Sequence, residues 1–230
     1  MRPAFAILVL LTLGLGSYTA LTRSALGERW ADLGGAPPDA GADTASGPVV
    51  QTIDAAPGGA GPVVVTSRVS AYPVTGEKAS EIFESLVAGG PLDGDRRFFG
   101  MTEADMGLQY RTASTDGSCA LVDVRVTLDV VTTLPEWTPP RGVPAALRRD
   151  WARFFRALQR HEAEHEALAV RGVEKASEAV RGLRGPSCAA VEAEARRRLQ
   201  RIEIEIEASH RRYDEQTGHG RTEGAVWPPC

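Results

Sequence analysis

Two long stretches of this chain space their apolar residues by three and four, and one shorter stretch alternates them strictly. Leu147, Trp151, Phe154, Phe155 and Leu158, then Ala169, Gly172, Val173, Ala176 and Val180, form one stripe. It predicts a helix that enters after Pro144 and runs from Ala145 to about Leu183. After Gly185-Pro186-Ser187 a second helical stripe carries Cys188, Val191, Ala195, Leu199, Ile202 and Ile206. Within it, Ile202-Glu203-Ile204-Glu205-Ile206-Glu207 alternates and also suits a strand end. The clearest strand is Ala120 to Val131, with Val122, Val124, Val126, Leu128 and Val130 on one side. Asp123, Arg125, Thr127 and Asp129 occupy the other, the pattern of a half-buried antiparallel strand.

Weaker signals add a strand from Val63 to Val69 and a helix to about Ala88, with Ala79, Ile82, Phe83 and Leu86 on one face. Gly89-Gly90-Pro91 ends that helix, Asp93 to Thr102 is turn-rich, and Leu108 to Arg111 reads as a strand. The expected fold class is α+β: a small antiparallel sheet packed on two long helices.

The first 61 residues read differently. Arg2 precedes an uncharged apolar run from Ala4 to Gly16, and apolarity persists to Leu21. Residues 1–30 are therefore expected to be a signal peptide or, uncleaved, a membrane anchor through residues 4–21. Residues 31–61 are rich in Ala, Gly and Pro and read as a disordered linker, too poor in apolar surface to offset the entropy of ordering it. Residues 62–230 suffice for one domain. A periplasmic or extracellular location follows as an expectation. It agrees with three cysteines, of which Cys119 and Cys188 are expected to pair and Cys230 to stay free. The formal net charge of −4 suggests no polyanion partner, and the basic run Arg196-Arg197-Arg198 is interleaved with glutamates, so no nucleic acid is expected.

The candidate chemistry lies inside the first long helix. His161-Glu162-Ala163-Glu164-His165 falls where its apolar stripe continues, in a chain with only four histidines. Residues four apart on a helix share a face, so both imidazoles can hold one Zn²⁺ with Glu162 beside it as general base. Paired core histidines are the bland alternative. A hydrolytic zinc takes three protein ligands and a water. The third is sought in the segment Ser209 to Gly220, which holds the other two histidines. His219, in a Thr-Gly-His-Gly turn, is favoured. His210 and Asp214 follow, and then Glu192 or Glu194. Tyr213 is a candidate hydrogen-bond donor to a developing oxyanion, or equally a packing residue.

The order of these features resembles a known family. Tyr72-Pro73-Val74-Thr75-Gly76, Gly89-Gly90-Pro91, the strand ending Leu134-Pro135-Glu136-Trp137, the His161–His165 motif and Tyr213-Asp214-x-x-Thr217-x-His219-Gly220 look like family 922 of the bacterial domains of unknown function. Its members are described as predicted secreted zinc-dependent proteases. The resemblance implies a zincin-like site and raises His219 as third ligand. The function expected is hydrolysis of peptide bonds in a peptide or protein substrate. A non-catalytic zinc scaffold of the envelope and a metal-dependent cell-wall amidase are the rivals.

Overall fold

The computed structural model describes residues 49–53 and 63–229. The signal or anchor expected at residues 1–30, most of the expected linker and Cys230 lie outside them. Within that linker, however, Val49–Ile53 forms a strand, β1, antiparallel to β2 (Val63–Val74). Its β-branched content explains why it pairs where the Gly- and Pro-rich residues around it give no such signal.

The α+β class holds, with three α-helices among the described residues, two of them long. After β2 come α1 (Ala79–Gly89) and a hairpin of β3 (Leu92–Asp93) and β4 (Arg96–Arg97). The long strands β5 (Met101–Thr115) and β6 (Ser118–Trp137) follow, then α2 (Ala145–Val180), β7 (Arg184–Gly185) and α3 (Cys188–Thr217). The sheet order is β1-β2-β6-β5, and β7 pairs the start of β6. One departure from the expected antiparallel sheet is that β2 and β6 run parallel over twelve positions, from Val63↔Val126 to Val74↔Trp137. The connection between them contains α1, the hairpin and β5, long enough to carry the chain back for a parallel pairing.

β6 does not keep one alternation throughout. Val126, Leu128 and Val130 are buried as expected, but near its start the buried residues are Cys119 and Leu121, while Val122 and Val124 are only half-buried. The phase changes at a β-bulge. Gln109 faces Arg125 and Arg111 faces Val122, and Asp123 has a φ of 51°. One extra residue there turns every earlier side chain to the opposite face.

The helices follow their stripes more simply. On α1, Ile82 and Leu86 are fully buried, whereas Phe83 is 42 % exposed and touches Phe99 edge-on. The Ile-Glu alternation is helical, not a strand end: Ile202 is buried, Ile206 half-buried and Ile204, on the other side of α3, 58 % exposed. Gly172 lets α2 and α3 meet closely, since a Cβ there would lie 2.3 Å from Ile206 Cγ1.

Two apolar clusters result. One joins Val63, Val65, Leu128 and Val130 of the sheet to Ala169, Val173 and Val180 of α2 and to Val191 and Ile202 of α3. The other joins Tyr72, Leu134 and Trp137 to Ile82, Leu86, Phe154, Leu158 and Trp227. Along α2 the second cluster ends at Leu158 and the first begins at Ala169, so residues 161–166 span the seam between them.

Cys119 and Cys188 form a disulfide that ties β6 to the first residue of α3 over a sequence separation of 69. Closing a loop of that size restricts the unfolded chain by about 4 kcal/mol. Reduction, or Cys119→Ser with Cys188→Ser, is expected to lower unfolding free energy by about 2–5 kcal/mol in denaturant titrations; an unchanged midpoint would refute this.

Candidate metal and catalytic site

Burying a polar side chain requires a partner for it, and the seam supplies them. His161, Glu162, His165 and Glu166 are all buried on the inward face of α2. Strand hydroxyls meet the two carboxylates: Thr102 Oγ1 donates to Glu162 Oε2 at 2.9 Å, and Ser67 Oγ donates to Glu166 Oε1 at 2.5 Å. Thr102 also lies opposite the buried Thr132 in the β5–β6 register, their hydroxyls 3.3 Å apart. Gly100 leaves room beside Glu162, because a Cβ there would come within 2.9 Å of Oε1.

The histidines face α3. Ser187 caps its start by accepting from the Ala190 N–H, and Gly218, at φ 58°, closes its end. Between them Ile202, Ile206, His210 and Asp214 recur every four residues and so share the face turned to α2. Asp214 Oδ1 lies 3.2 Å from His161 Nε2 and 3.1 Å from His165 Nε2, and the two Nε2 atoms are 3.3 Å apart. Among the described residues, these three side chains form the one group able to offer donor atoms to a single metal ion.

The far side of each imidazole is also held. His161 Nδ1 is 3.0 Å from Glu223 Oε2, and His165 Nδ1 is 2.8 Å from His210 Nδ1, the latter two rings stacked. Burial and the neighbouring His165 lower the His210 pKa to about 4, leaving that ring neutral at pH 7. Burial opposes protonation of His161, but Asp214, Glu162 and Glu223 outweigh it and raise its pKa. Burial alone would raise Asp214; hydrogen bonds from His161 and His165 instead hold it well below the usual carboxylate range. At Glu162 burial prevails over the pull of His165, Thr102 and His161, and its pKa is raised.

The structure thus brings His161, His165 and Glu162 together, and the third member of the cluster is Asp214, not the favoured His219. His219 follows the helix cap, its φ is 56°, and its side chain is 41 % exposed. Its Nδ1 is 3.5 Å from Asp214 Oδ1 and its Nε2 is 3.4 Å from Arg96 Nη2, with Phe98 against the ring. The reason is geometric: α3 extends unbroken to Thr217, so Asp214 stays on its inner face and His219 is carried past it. His210 is a partner of His165 and outside the cluster; Glu194 pairs with Arg197 and Arg198 on the surface.

Tyr213 does not offer its hydroxyl to the cluster centre. The hydroxyl lies 3.0 Å from both Glu223 oxygens, and the ring stacks on His161 with centroids 4.9 Å apart. Burial and that carboxylate raise its pKa. Thr217 Oγ1 donates to the Tyr213 carbonyl and accepts from the Gly220 N–H, which folds the chain back after the helix. Sequence reasoning missed Glu223 and Thr102, and nothing in their spacing marks either residue.

Gly220 stands where the returning chain crosses His161. Its φ is 78°, and a Cβ would lie 2.9 Å from Ala225 Cβ and 3.1 Å from His161 Cγ. Gly218 has a similar φ with no neighbour closer than 3.7 Å. Gly218→Ala should therefore cost about 1–2 kcal/mol of backbone strain. Gly220→Ala should cost about 1–3 kcal/mol more through overpacking. Equal losses in chemical denaturation would show that the contact with His161 is not tight.

In comparisons with known proteins, no curated protein and no solved structure matches the chain. A family model, described as Bacterial protein of unknown function (DUF922), matches residues 69–220. The match takes in α1, the motif helix, and α3 through Tyr213, Asp214, Thr217, His219 and Gly220, and it stops short of Glu223. With most of its length and all three residues of the cluster inside that match, the chain belongs to the DUF922 family of bacterial proteins.

Proposed function

We propose that this protein is a secreted or membrane-tethered zinc peptidase whose metal ligands are His161, His165 and Asp214. The observation that carries the reading is the donor triangle, with sides of 3.1, 3.2 and 3.3 Å. Donors about 2.0–2.1 Å from a tetrahedral ion lie about 3.3–3.4 Å from one another. Two imidazole nitrogens and a carboxylate oxygen are a set that catalytic zinc accepts. Glu223 can only accept from the His161 Nδ1–H and so favours the tautomer that leaves the His161 Nε2 lone pair for a metal; His165 takes the same form when its Nδ1–H donates to His210 Nδ1.

A bound Zn²⁺ would supply a Lewis acid that polarises a peptide carbonyl and acidifies water. Glu162 then accepts the proton of the attacking water and returns it to the departing amine. Its burial raises its proton affinity toward the range useful at neutral pH. Thr102 fixes the carboxylate through Oε2. Tyr213 and Glu223 brace His161 from behind, and Tyr213 has a positioning role in place of oxyanion binding.

A second reading takes His219 as a fourth ligand, because its Nδ1 already lies 3.5 Å from Asp214 Oδ1. Such a site has no position for water and would be structural. The variants separate the two. Purified protein should carry about one zinc, lost in His161→Ala and strongly weakened in Asp214→Ala. His219→Ala should keep its zinc if the site is catalytic and lose affinity if it is closed. Full occupancy in His161→Ala would remove the metal reading altogether.

Two further outcomes concern catalysis. Glu162→Gln should retain fold and zinc while cutting chelator-sensitive peptide hydrolysis at least about a hundredfold. Glu223→Ala should weaken zinc about 10–100-fold, measured by competition with a chromogenic chelator. Wild-type rates in Glu162→Gln, or no chelator-sensitive cleavage by the native protein, would count against the peptidase.

A further inference from the structure

The outer face of the motif helix carries a feature that the site does not use. Arg149, Arg153, Arg156 and Arg160 are all exposed, on the side of α2 turned away from its buried stripe. Offsets of four, seven and eleven fall within about 60° of one another around a helix, and the row is about 16 Å long. Arg153 pairs with Asp150 at 2.7 Å; Arg149, Arg156 and Arg160 make no ion pair with any described residue. Further along the same face come Arg171, paired with Glu164, and then Glu174 and Glu178, so the exposed arginines without an ion pair lie toward the start of the helix.

Helix formation does not account for the row. Like charges four apart repel, as Arg149–Arg153 and Arg156–Arg160 do. Arg148 and Arg149 also sit near the helix start, where the macrodipole disfavours cations, and the first turn has no acidic residue. A row that opposes its own helix suits an external anion, whatever the small net charge of the whole chain. Its straight, solvent-facing geometry matches an extended surface of phosphates better than one small ligand. The apolar run ending at Leu21 is 28 residues from Val49, where the described structure begins. If that run enters a bilayer, the domain stays within roughly 100 Å of the lipid headgroups.

We propose that the Arg149–Arg160 face docks on the phosphate headgroups of an anionic lipid bilayer and orients the domain on the membrane. Each basic side chain at such a surface raises partitioning about fivefold. Three arginines together therefore contribute about a hundredfold.

The test uses the full chain with vesicles of phosphatidylcholine alone or with a third phosphatidylglycerol, in low and high salt. Comparing the two vesicle types cancels retention by the N-terminal apolar run. Wild type should favour the anionic vesicles by about a hundredfold at low salt and lose that surplus in high salt. Arg149→Gln/Arg156→Gln/Arg160→Gln should abolish the surplus, and the corresponding lysine triple should keep it. These side chains are exposed, so circular dichroism should show the fold intact in both. A triple glutamine variant that binds anionic vesicles as well as wild type overturns the proposal. So does wild type that shows no surplus yet binds soluble polyphosphate through the same arginines.

Discussion

The motif helix buries two imidazoles and two carboxylates in line with its apolar residues, and that burial constrains everything packed around it. Unpartnered, such groups cost several kcal/mol each. The strands answer with hydroxyls from Thr102 and Thr132, paired across β5 and β6, and from Ser67 two register positions away on β2; α3 answers with His210 and Asp214. These polar groups form a layer between two apolar clusters, which keep bulk water away from it on both sides. Specificity in this fold follows from the layer. A one-residue slip of β5 against β6 would take Thr102 away from Glu162 and leave Met101 or Glu103, neither able to donate a hydrogen bond there, at its level of the sheet.

What could be read in the sequence was what depends on period and local chemistry. Both long helices, the burial of the His161–His165 face and the Cys119–Cys188 pairing follow from stripes and residue type. The bulge at Asp123 was invisible because the run from Val122 to Val130 alternates without a break; only pairing with β5 reveals the inserted residue. Parallel pairing of β2 with β6 is likewise a non-local outcome, decided by where α1 and β5 send the chain. The third cluster member depended on one local decision. Once Ile202–Glu207 is taken as helical, Ile202, Ile206, His210 and Asp214 align at steps of four and Asp214 turns inward. The alternating glutamates obscured that reading.

The signature around Tyr213 now has a physical account at each position. Tyr213 holds Glu223, Asp214 closes the donor triangle, and Thr217 anchors the return of the chain. His219 contacts Asp214 from the solvent side, and Gly220 is the residue that passes His161 without a side chain to obstruct it. Beyond the signature, Trp227 packs against Trp151 and Phe154 and donates its indole N–H to the Ala79 carbonyl at 2.9 Å. That contact ties the segment carrying Glu223 to both α1 and α2.

Asp214 and Glu223 lie 49 and 58 residues downstream of His165 in the chain. The ribosome delivers the two motif histidines well before either of them. During that interval the nascent chain has an incomplete donor cluster and an unbraced His161. The order of residues therefore acts as a clock: this centre can be assembled only after the second long helix and the turn beyond it have emerged and docked.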